Sequence, residues 1–563
     1  MSMLASLFIV GCSQDEIAPG GEDNGSGETN TSYLSVNLVS SDATGTRATE
    51  GDYEDGNSDE NTVTKVRFYF FDGLGGVSNV KYHNGNYVNY YDWENPTTGT
   101  GNPGDVEKIL TATLVISTKA GDGLPQRIAA VINPDDVTGL GTGSQSLTGL
   151  KGISQDYAAS SLTSGGHFVM FNAVYSNGSA DISSVAIPEG KLKKTEDEAT
   201  NDPVIIYVER SVAKVKVSLD SKIGFNNNML EVKDKNGNPI LVKGTDGTQQ
   251  KVYLKLNKWA LTANTTLGRL VKKINPGWNG SWWYNTHRSF WAINSMSATN
   301  ERHTYNDINT DLGTPLYTNE NAQKNDIDAT TGGAQANTKV ILKGTICTSD
   351  GNAVTIARHG GVHFVDTENG GYPKLKKSIL DMMFGYGYTY YFGDETNKKQ
   401  IGIDDIEIKM ADQITSEGSN NNCYVYAQLT KAAAENKTWY ASDSKDATAI
   451  QASVINGTLK DKKGDDSYII DRPLLWKDGM TYYYYDIEHI QNQNDPEKKN
   501  LIGVVRNHIY ATNITKIAGL GTPVYNPDET IYPEKPDNND HFIAAQINIL
   551  SWRVVKNDYE LEW

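Results

Sequence analysis

Segments of alternating apolar and polar residues recur along this chain, and loops rich in Gly, Asn and Asp separate them. A period of two places successive side chains on opposite faces, which is the pattern of a β-strand with one buried face. The spacing of strands and turns favours β-sandwiches over a parallel α/β sheet, with short helices near 375–384 and 425–435. The predicted strands are 33–39, 63–71, 109–117, 127–133, 167–174, 204–219, 252–262, 338–345, 422–429, 480–487, 507–517 and 541–555.

The length of 563 residues allows two to four domains, and an apolar fraction of 38% is enough for a sizeable core. Within the segment 204–219 the apolar positions change parity around Glu209, Arg210 and Ser211, which predicts a bend or bulge. We expect a domain junction near this point, with an N-terminal domain at 48–216 and a C-terminal domain at 217–540.

The net charge of −18 argues against nucleic acid and anionic membrane surfaces as partners. Residues 1–60 contain twelve acidic side chains and one basic side chain, Arg47, and therefore carry −11 of this charge. An acidic run of this kind is typical of a solvated linker. The folded body of the protein is thus much less acidic than the whole chain.

The first twelve residues form a short apolar run that ends in Cys12. The run is too short for a membrane-spanning helix and is typical of the end of a secretory signal. Small residues before a cysteine resemble a lipobox, which predicts lipidation of Cys12 and an outer-membrane anchor. The alternative, a buried cysteine in a strand, is disfavoured because the residues that follow offer almost nothing apolar. A basic region before the apolar run is missing from the sequence.

The sequence contains few candidates for chemistry. His359 and His363 have helical spacing, but two glycines lie between them and no glutamate completes a zinc-protease motif. A calcium site at Asp404, Asp405 and Glu407 lacks the spacing of an EF-hand. We therefore predict no catalytic residue, no metal ligand and no cofactor, and we predict that the protein is not an enzyme. Two cysteines, Cys347 and Cys423, are either buried thiols or a disulfide, and the former is favoured.

Four segments together resemble one family, the fimbrillins, which are the type V pilin subunits of Bacteroidales-type bacteria. The resemblance is greatest to the major subunit of the Mfa-type minor fimbrium. The segments, in this order, are 207–217 (YVERSVAKVKV), 256–272 (LNKWALTANTTLGRLVK), 504–510 (VVRNHIY) and 549–552 (ILSW) with 557–561 (NDYEL).

The resemblance implies an all-β fold of two transthyretin-like β-sandwich domains with Greek-key-type antiparallel sheets. It also implies a lipoprotein precursor that an Arg-specific protease cleaves in the loop after the first strand. Arg47 is the only basic residue before Lys65, so cleavage is expected between Arg47 and Ala48. Cleavage would remove residues 13–47, including a first strand whose core-facing residues are Leu34, Val36 and Leu38.

Loss of a core-facing strand would leave an apolar groove that a strand from another subunit could fill. The C-terminal segment 541–563 suits this donor role because its apolar residues alternate, and the alternative is that it forms the last strand of its own domain. A change of parity at Ile549–Leu550 predicts a kink between two donor segments. The donor residues of the first parity are Ile543, Ala545, Ile547 and Ile549, and those of the second parity are Leu550, Trp552 and Val554.

These inferences predict a structural stalk subunit of a cell-surface adhesive fimbrium. The expected partners are further copies of the chain, anchor and tip subunits, an Arg-specific maturation protease, and host or bacterial surface receptors. The alternatives are a tip or anchor subunit of the same family and a surface lipoprotein that binds glycans through its Trp and Tyr loops.

Overall fold

The fold is described from a computed structural model of the whole chain. The structure describes residues 29–39, 59–96, 109–119, 121–159, 167–176, 181–226, 228–274, 287–288, 300–322, 338–394, 396–411, 423–460, 470–490, 501–533, 542–551 and 554–556.

Strands dominate the first part of the chain, as the alternating pattern predicts. The strands are β1 (Thr29–Val39), β2 (Lys65–Phe71), β3 (Lys81–His83), β4 (Asn86–Val88), β5 (Tyr90–Glu94), β6 (Ile109–Lys119), β7 (Arg127–Ile132), β8 (Ser154–Gln155), β9 (Met170–Asn172), β10 (Tyr175–Ser176), β11 (Asp181–Ile182), β12 (Val185–Ala186) and β13 (Val204–Arg210). The helices are α1 (Leu147–Gly152) and α2 (Glu196–Thr200), and a 3-10 turn spans Asp59–Asn61.

The second part of the chain contains both strands and short helices. The strands up to the first of its helices are β14 (Ala213–Leu219), β15 (Leu230–Glu231), β16 (Leu241–Lys243), β17 (Gln249–Lys251), β18 (Tyr253–Thr262), β19 (Asn264–Thr265), β20 (Gly268–Arg269), β21 (His287–Arg288), β22 (Asn300–Glu301), β23 (Thr310–Asp311), β24 (Leu316–Thr318), β25 (Asn321–Ala322), β26 (Lys339–Cys347), β27 (Ile356–His359) and β28 (Val362–Val365). The remaining strands are β29 (Tyr391–Asp394), β30 (Asn397–Gln400), β31 (Ile406–Met410), β32 (Val425–Leu429), β33 (Trp439–Tyr440), β34 (Ala449–Ile450), β35 (Leu474–Trp476), β36 (Met480–Asp486), β37 (Glu488–Ile490), β38 (Leu501–Val504), β39 (His508–Ala518), β40 (Thr522–Pro523), β41 (Phe542–Ser551) and β42 (Val554–Lys556). The helices are α3 (Pro373–Gly385), α4 (Lys431–Asn436) and α5 (Ala452–Lys460).

The largest sheet belongs to the first part of the chain, in the order β5-β2-β7-β9-β13-β1-β6, with β12 paired to β7. Strand β1 is an interior strand of this sheet. It runs parallel to β13 on one side and antiparallel to β6 on the other. Removal of β1 would therefore separate two strands that it now joins.

The second part of the chain repeats this local arrangement. Strand β14 runs parallel to β39 and antiparallel to β24, in a sheet of order β24-β14-β39-β41-β42. A six-stranded sheet in the order β15-β18-β26-β36-β40, with β23 paired to β18, contributes further core strands. In both parts, an early strand lies beside a late strand that runs in the same direction.

Two large hydrophobic cores meet near the end of β13. The first core includes Val208 and Val212, and the second begins with Ala213 and Val215. Residues from the loop after β20, such as Leu270 and Val271, pack into the first core although they follow the second core's strand β18. The two cores are therefore interlocked by a segment that returns across the junction.

A third core belongs to an inserted module, which we define as residues 366–473 between β28 and β35. Helix α3 contributes Leu375 and Ile379, and α5 contributes Ile455 and Leu459 to this core. The module therefore has its own apolar centre beside the strand sheets.

The predicted all-β class is confirmed, with a few short helices. The predicted break within 204–219 is also observed, because β13 ends at Arg210 and β14 begins at Ala213. The helix predicted at 425–435 is wrong in its first half, where Val425–Leu429 is a strand and the helix begins only at Lys431. No helix in the described part of the chain is long and apolar enough to cross a membrane.

Candidate functional site

The first strand, β1, is buried along one face. Leu34, Val36 and Leu38 are 0%, 0% and 1% exposed. Their alternation follows from the period of a strand, and it is the alternation that the sequence shows at these positions. On the other parity, Ser35 is also buried, and its hydroxyl lies 3.4 Å from the carbonyl oxygen of Ala112.

Two strands form the walls around β1, and we call the space that β1 occupies between them the leader groove. In strand β6, Leu114, Ala112 and Leu110 pair with the three buried residues of β1 and are themselves buried. In strand β13, Val204 and Ile206 lie opposite Val36 and Leu38. All these wall residues are aliphatic, so the groove would expose a continuous apolar surface without β1.

A segment before β13 closes the groove beside the first half of β1. The backbone N–H of Tyr33 donates to the carbonyl oxygen of Lys193, and the N–H of Lys193 donates to that of Tyr33, both at 2.8 Å. Lys191 and Lys193 both form ion pairs with Asp202. This segment supplies the backbone pairing that β13, which reaches only Val36, does not provide.

A small cavity of about 20 Å³ lies at the other end of the groove. Leu38 forms part of its wall, together with Asn61 and Val63 from the segment that enters β2. The rest of the lining consists of Leu110, Ile132, Met170 and Val208. The end of β1 therefore lies next to the segment that leads into β2.

Glu60 is the centre of a buried polar cluster beside this cavity. Its carboxylate lies 2.6 Å from the ammonium of Lys214, with 0% and 4% of the two side chains exposed. The hydroxyl of Tyr317 donates to the same carboxylate. Burial, and then the hydrogen bond to Glu60, raise the pKa of Tyr317, so this phenol stays protonated. The guanidinium of Arg210 donates to the carbonyl oxygen of Glu60 at 3.0 Å.

Two more ion pairs are buried at the same junction. Lys272 and Glu209 approach to 2.8 Å, and Arg506 and Glu320 approach to 2.6 Å, with every side chain 1% exposed. Burial alone would lower the pKa of Arg506, but the charge of Glu320 raises it above its usual value. The guanidinium of Arg506 also donates to the carbonyl oxygen of Leu270 at 2.8 Å. Partners of this kind offset the cost of removing charges from water.

Three of the four segments that carry the family resemblance meet at this junction. Glu209, Arg210 and Lys214 come from the segment 207–217, Lys272 ends the segment 256–272, and Arg506 lies in the segment 504–510. The partners Glu60 and Glu320 lie outside those segments, and the sequence analysis missed them. An acidic residue beside an apolar strand is their only signal, and exposed loops show the same signal.

The C-terminal segment pairs with a strand of its own chain in this structure. Strand β41 pairs antiparallel with β39, in a register that places Ile543 opposite Ile517 and Ile549 opposite Tyr510. The other predicted donor residues follow the same ladder, with Ala545, Ile547 and Leu550 opposite Ile514, Thr512 and Ile509, and Val554 lies in β42. The segment is therefore paired with the second core's sheet, and the structure does not bring it to the leader groove.

The kink that was predicted at Ile549–Leu550 is not at that position. Strand β41 continues through both residues to Ser551, and β42 folds back on it from Val554. The change of parity therefore falls within one strand. A β-bulge opposite Ala544 and Ala545, between Ile514 and Lys516 of β39, alters the pairing earlier in the ladder.

Several predicted residues lie outside the described part of the chain. These are the lipidation residue Cys12, the cleavage residues Arg47 and Ala48, and the donor residue Trp552. Cys347 and Cys423 are both buried, and neither forms a disulfide with another described residue. The Cys347 thiol instead lies 3.7 Å from the sulfur of Met229.

The two histidines, His359 and His363, occupy structural positions in strands. They lie on the hairpin of β27 and β28, where Gly360 and Gly361 form the turn with φ of 57° and 77°. The Nδ1 atom of His359 lies 2.8 Å from the hydroxyl of Ser378, and burial lowers the pKa of both imidazoles. Across the described ranges, no three His, Cys, Asp or Glu side chains are placed to hold a metal ion.

The acidic residues Asp404 and Asp405 lie in a short 3-10 turn, Ile403–Asp405, before β31. The carboxylate of Asp405 accepts a hydrogen bond from the N–H of Gly402 at 2.8 Å and forms an ion pair with Lys437. These contacts fix the turn and give Asp405 a local structural role.

The C-terminal part of the chain matches one family. Residues 475–558 match the family described as "Major fimbrial subunit protein type IV, Fimbrillin, C-terminal". The matched region begins one residue after β35 starts and contains β36, β39 and β41. No curated protein matches the chain.

Solved structures with distant similarity include two proteins of Porphyromonas gingivalis. A fimbrilin of strain W83 is 12% identical, with 93% of this chain and 99% of that chain covered and a TM-score of 0.34. The tip fimbrial protein Mfa3 is 12% identical, with 91% and 99% covered and a TM-score of 0.30. A fimbrial assembly protein of Parabacteroides distasonis is 11% identical, with 57% and 84% covered and a TM-score of 0.27.

Because these TM-scores are low, no conclusion about this chain is drawn from the solved structures, and the family match stands by itself. It contains the segment 504–510 and all but the last three residues of the segment 549–552 with 557–561. The family match therefore confirms the predicted resemblance to the fimbrillins for residues 475–558.

Proposed function

We propose that this protein is a structural stalk subunit of a cell-surface adhesive fimbrium. In this proposal the chain is exported as a lipoprotein precursor, acylated at Cys12 and anchored in the outer membrane. An Arg-specific protease cleaves after Arg47 and releases β1. A neighbouring subunit then inserts its C-terminal segment into the leader groove. Repetition of this step builds a filament, because a head-to-tail contact does not close on itself.

The observation that carries the proposal is the place of β1 in the sheet. Three fully buried side chains of β1 lie between two neighbouring strands. The only basic residue before Lys65 is Arg47, which lies eight positions after the end of β1. Burying Leu34, Val36 and Leu38 contributes roughly 5 to 9 kcal/mol of gross transfer free energy, at 1.5–3 kcal/mol each. An empty groove would lose this contribution and leave two strand edges unpaired.

We propose that the mature subunit has two domains that meet between Val212 and Ala213. The two large cores divide at this point, and the three buried ion pairs surround it. The first domain would hold the leader groove. The second would hold the strand β39, from which the donor segment must separate before it can reach another subunit.

A tip subunit is the second candidate, and the pairing of β41 with β39 favours it. In a tip subunit the C-terminal segment would stay on its own domain and would not act as a donor. The stalk is preferred because Ile543, Ala545, Ile547 and Ile549 repeat the two-residue spacing of Leu34, Val36 and Leu38. The same apolar period would serve either strand position.

Deletion of residues 541–563 tests the proposal. Both the wild-type precursor and the truncated precursor are treated with an Arg-specific protease at low dose, and the products are separated on a gel without boiling. We expect a ladder of multimers from the wild type and monomers from the truncated chain. Wild-type multimer length from the truncated chain would contradict the donor role. A wild-type protein that is cleaved, loses β1 and stays monomeric would support the tip subunit.

A further inference from the structure

We propose that the loops at the mouth of the leader groove form a docking surface for the second domain of another copy of this chain. The proposal rests on the donor-strand assembly proposed above and adds a contact outside the groove. We call this surface the collar and define it as Leu74, Val77 and Leu124. The collar would orient two subunits so that the donor segment enters at the correct end.

The directions of the strands locate the mouth of the groove. Strand β1 begins at Thr29, opposite Lys119 at the end of β6, and its other end faces the domain junction. Strand β7 runs in the same direction as β1, because β9 is antiparallel to both β7 and β13 and β13 is parallel to β1. Since Phe71 pairs with Arg127, the turn after β2 and the loop before β7 both lie at this same outer end. A donor that runs in the direction of β1 would therefore enter at the end of the domain where these loops lie.

The collar residues are apolar and exposed. Leu74 is 100% exposed, Leu124 is 50% exposed and Val77 is 42% exposed. Isolated apolar residues on a surface are ordinary, but these three stand on neighbouring loops at one end of a domain. The N–H of Gln126 donates to the carbonyl oxygen of Phe71 at 2.9 Å, which ties the two loops together.

The turn that presents Leu74 is held rigidly. The carboxylate of Asp72 accepts hydrogen bonds from the N–H groups of Leu74 at 2.9 Å and Gly76 at 2.8 Å. Gly75 adopts a φ of 88°, a conformation that favours glycine over residues with a Cβ atom. A turn whose backbone is already fixed loses little conformational freedom when a partner covers it, which suits a docking contact.

Acidic residues surround the collar. Asp72, Asp122 and Glu189 are all exposed at this end of the domain, and Lys119 is an exposed basic residue near them. The N–H of Ile187 donates to the carbonyl oxygen of Gln126 at 2.8 Å, so the loop that carries Glu189 adjoins the loop that carries Leu124. Acidic side chains therefore border the collar.

Exposed lysines lie at the end of the second domain from which the donor segment departs. Phe542 pairs with Ala518, so β41 begins beside the exposed residue Lys516. The ammonium of Lys516 donates to the carbonyl oxygen of Lys235 at 3.3 Å, and the N–H of Gly519 donates to that of Lys233 at 2.7 Å. Lys222 is exposed nearby, on the turn that follows β14, and Asp220 and Asp234 are acidic residues of the described chain at this end.

Charge complementarity and the path of the donor identify the occupant as a second copy of this chain. A segment that leaves the second domain beside Lys516 and enters a groove beside Leu124 brings the two ends face to face. The acidic side chains that border the collar then meet the lysines, which favours the correct orientation during encounter, and the collar supplies the apolar contact. Isolated surface charges contribute little to affinity, so the charges are expected to act mainly on the rate.

A double substitution in the collar tests the contact with the full chain. The precursor with Leu74→Asp and Leu124→Asp is compared with the wild type and with a control that carries Tyr386→Asp and Val454→Asp. The control residues are 53% and 50% exposed and lie on the inserted module. After Arg-specific cleavage, we expect multimers to form about tenfold more slowly in the collar variant and within about twofold of the wild type in the control. Equal rates in all three proteins would overturn the proposal.

Charge exchange provides a second test. The variant Asp122→Lys with Glu189→Lys, and the variant Lys233→Glu with Lys235→Glu, should each assemble more slowly than the wild type at low salt. A chain that carries all four substitutions should recover most of the rate, because the two ends are again complementary. Failure of the fourfold variant to recover, with both double variants slow, would contradict direct contact between these ends.

A labelled peptide of residues 541–563 separates failure of the collar from failure of donor-strand assembly. Added during cleavage, the peptide should be captured equally by the wild type and the collar variant, and it should shorten the wild-type ladder. Capture by the wild type alone would mean that the substitutions damage the groove, which overturns a separate docking role. If neither protein captures the peptide and the wild type forms no multimers, donor-strand assembly fails and the collar fails with it.

Discussion

The carboxylate of Glu60 lies 2.6 Å from the ammonium of Lys214, and both side chains are buried where the two large cores meet. Glu60 follows the proposed cleavage site by thirteen residues, and Lys214 belongs to the first strand of the second core. This ion pair therefore ties the start of the proposed mature chain to the second domain. In this arrangement, β1 could leave the groove without loosening the chain from residue 60 onward.

Removal of Glu60 should destabilise the protein strongly. The substitution Glu60→Ala leaves the charge of Lys214 buried without its carboxylate, and we expect a loss of about 3–5 kcal/mol in the free energy of unfolding. The double variant Glu60→Leu with Lys214→Met should lose clearly less than the sum of the single variants. Urea unfolding followed by tryptophan fluorescence measures these differences.

The control for this pair is an exposed one. Lys377 and Asp381 lie one helical turn apart at 2.9 Å, and their side chains are 69% and 57% exposed. Lys377→Ala should change the free energy of unfolding by less than about 1 kcal/mol. If Glu60→Ala also lowers the free energy of unfolding by less than about 1 kcal/mol, the pair of Glu60 and Lys214 does not behave as a buried ion pair.

A polar residue in β1 should open the leader groove before cleavage. Val36→Asn places an amide where an aliphatic side chain is 0% exposed, and we expect the uncleaved precursor to bind a hydrophobic dye and to capture the peptide of residues 541–563. The control is Asn37→Ala, on the opposite face of the same strand. If Val36→Asn and Asn37→Ala behave alike, β1 is not what keeps the groove filled.

Loss of the proposed cleavage residue should stop maturation. Arg47→Ala removes the only basic residue before Lys65, so we expect the lipidated precursor to accumulate at the membrane. Arg47→Lys is the matched variant that keeps the charge while it removes the arginine that the protease would recognise. Membrane fractionation and N-terminal sequencing measure the outcome, and normal filaments from Arg47→Ala would refute the assignment.

The stability of the second domain, around the hairpin of β27 and β28, should fall in acid because of His363. Burial lowers the pKa of His363 from 6.5 to about 4, and the nearby Arg358 acts in the same direction. An imidazole with a lowered pKa in the folded state stabilises the fold fully above about pH 6.5, and this contribution is lost as the pH falls towards 4. A shift of this size corresponds to about 3 kcal/mol.

The measurement is the pH dependence of unfolding for the wild type and for His363→Gln. The variant has no imidazole to protonate in the unfolded state, so its stability should fall less steeply between pH 6.5 and 4. Other acidic and basic groups titrate in both proteins and cancel in the comparison. Parallel curves for the two proteins would show that His363 is not buried in its neutral form.

The long core strands could be predicted from the sequence because their pattern is strong. The segment 204–219 shows both its strands and the break at Ser211–Val212, since the apolar positions change parity there. By contrast, β41 crosses the parity change at Ile549–Leu550 without a kink. Parity alone does not distinguish a bend from an unbroken strand that pairs at an edge.

The ion pairs at the junction could not be predicted from sequence patterns. Glu320 and Arg506 are 186 positions apart, and neither belongs to a motif that fixes its partner. Short strands such as β16 and β33 were missed for a related reason, because two or three residues carry no measurable period. Helix α4 was predicted to begin too early because Val425–Leu429, which is a strand, also contains good helix formers.

Cross-linking between subunits tests the central claim most directly. Cysteine is introduced in strand β6 at Thr111 or Val115, which pair with Asn37 and Tyr33 of β1, and in the donor segment at Gln546 or Asn548. Neighbouring strands bring such positions within disulfide reach. After cleavage and mild oxidation, the account predicts disulfide-linked multimers for at least one of the four combinations, with β1 absent from the product. Filaments that form without any such cross-link in all four combinations, or that retain β1, would contradict it.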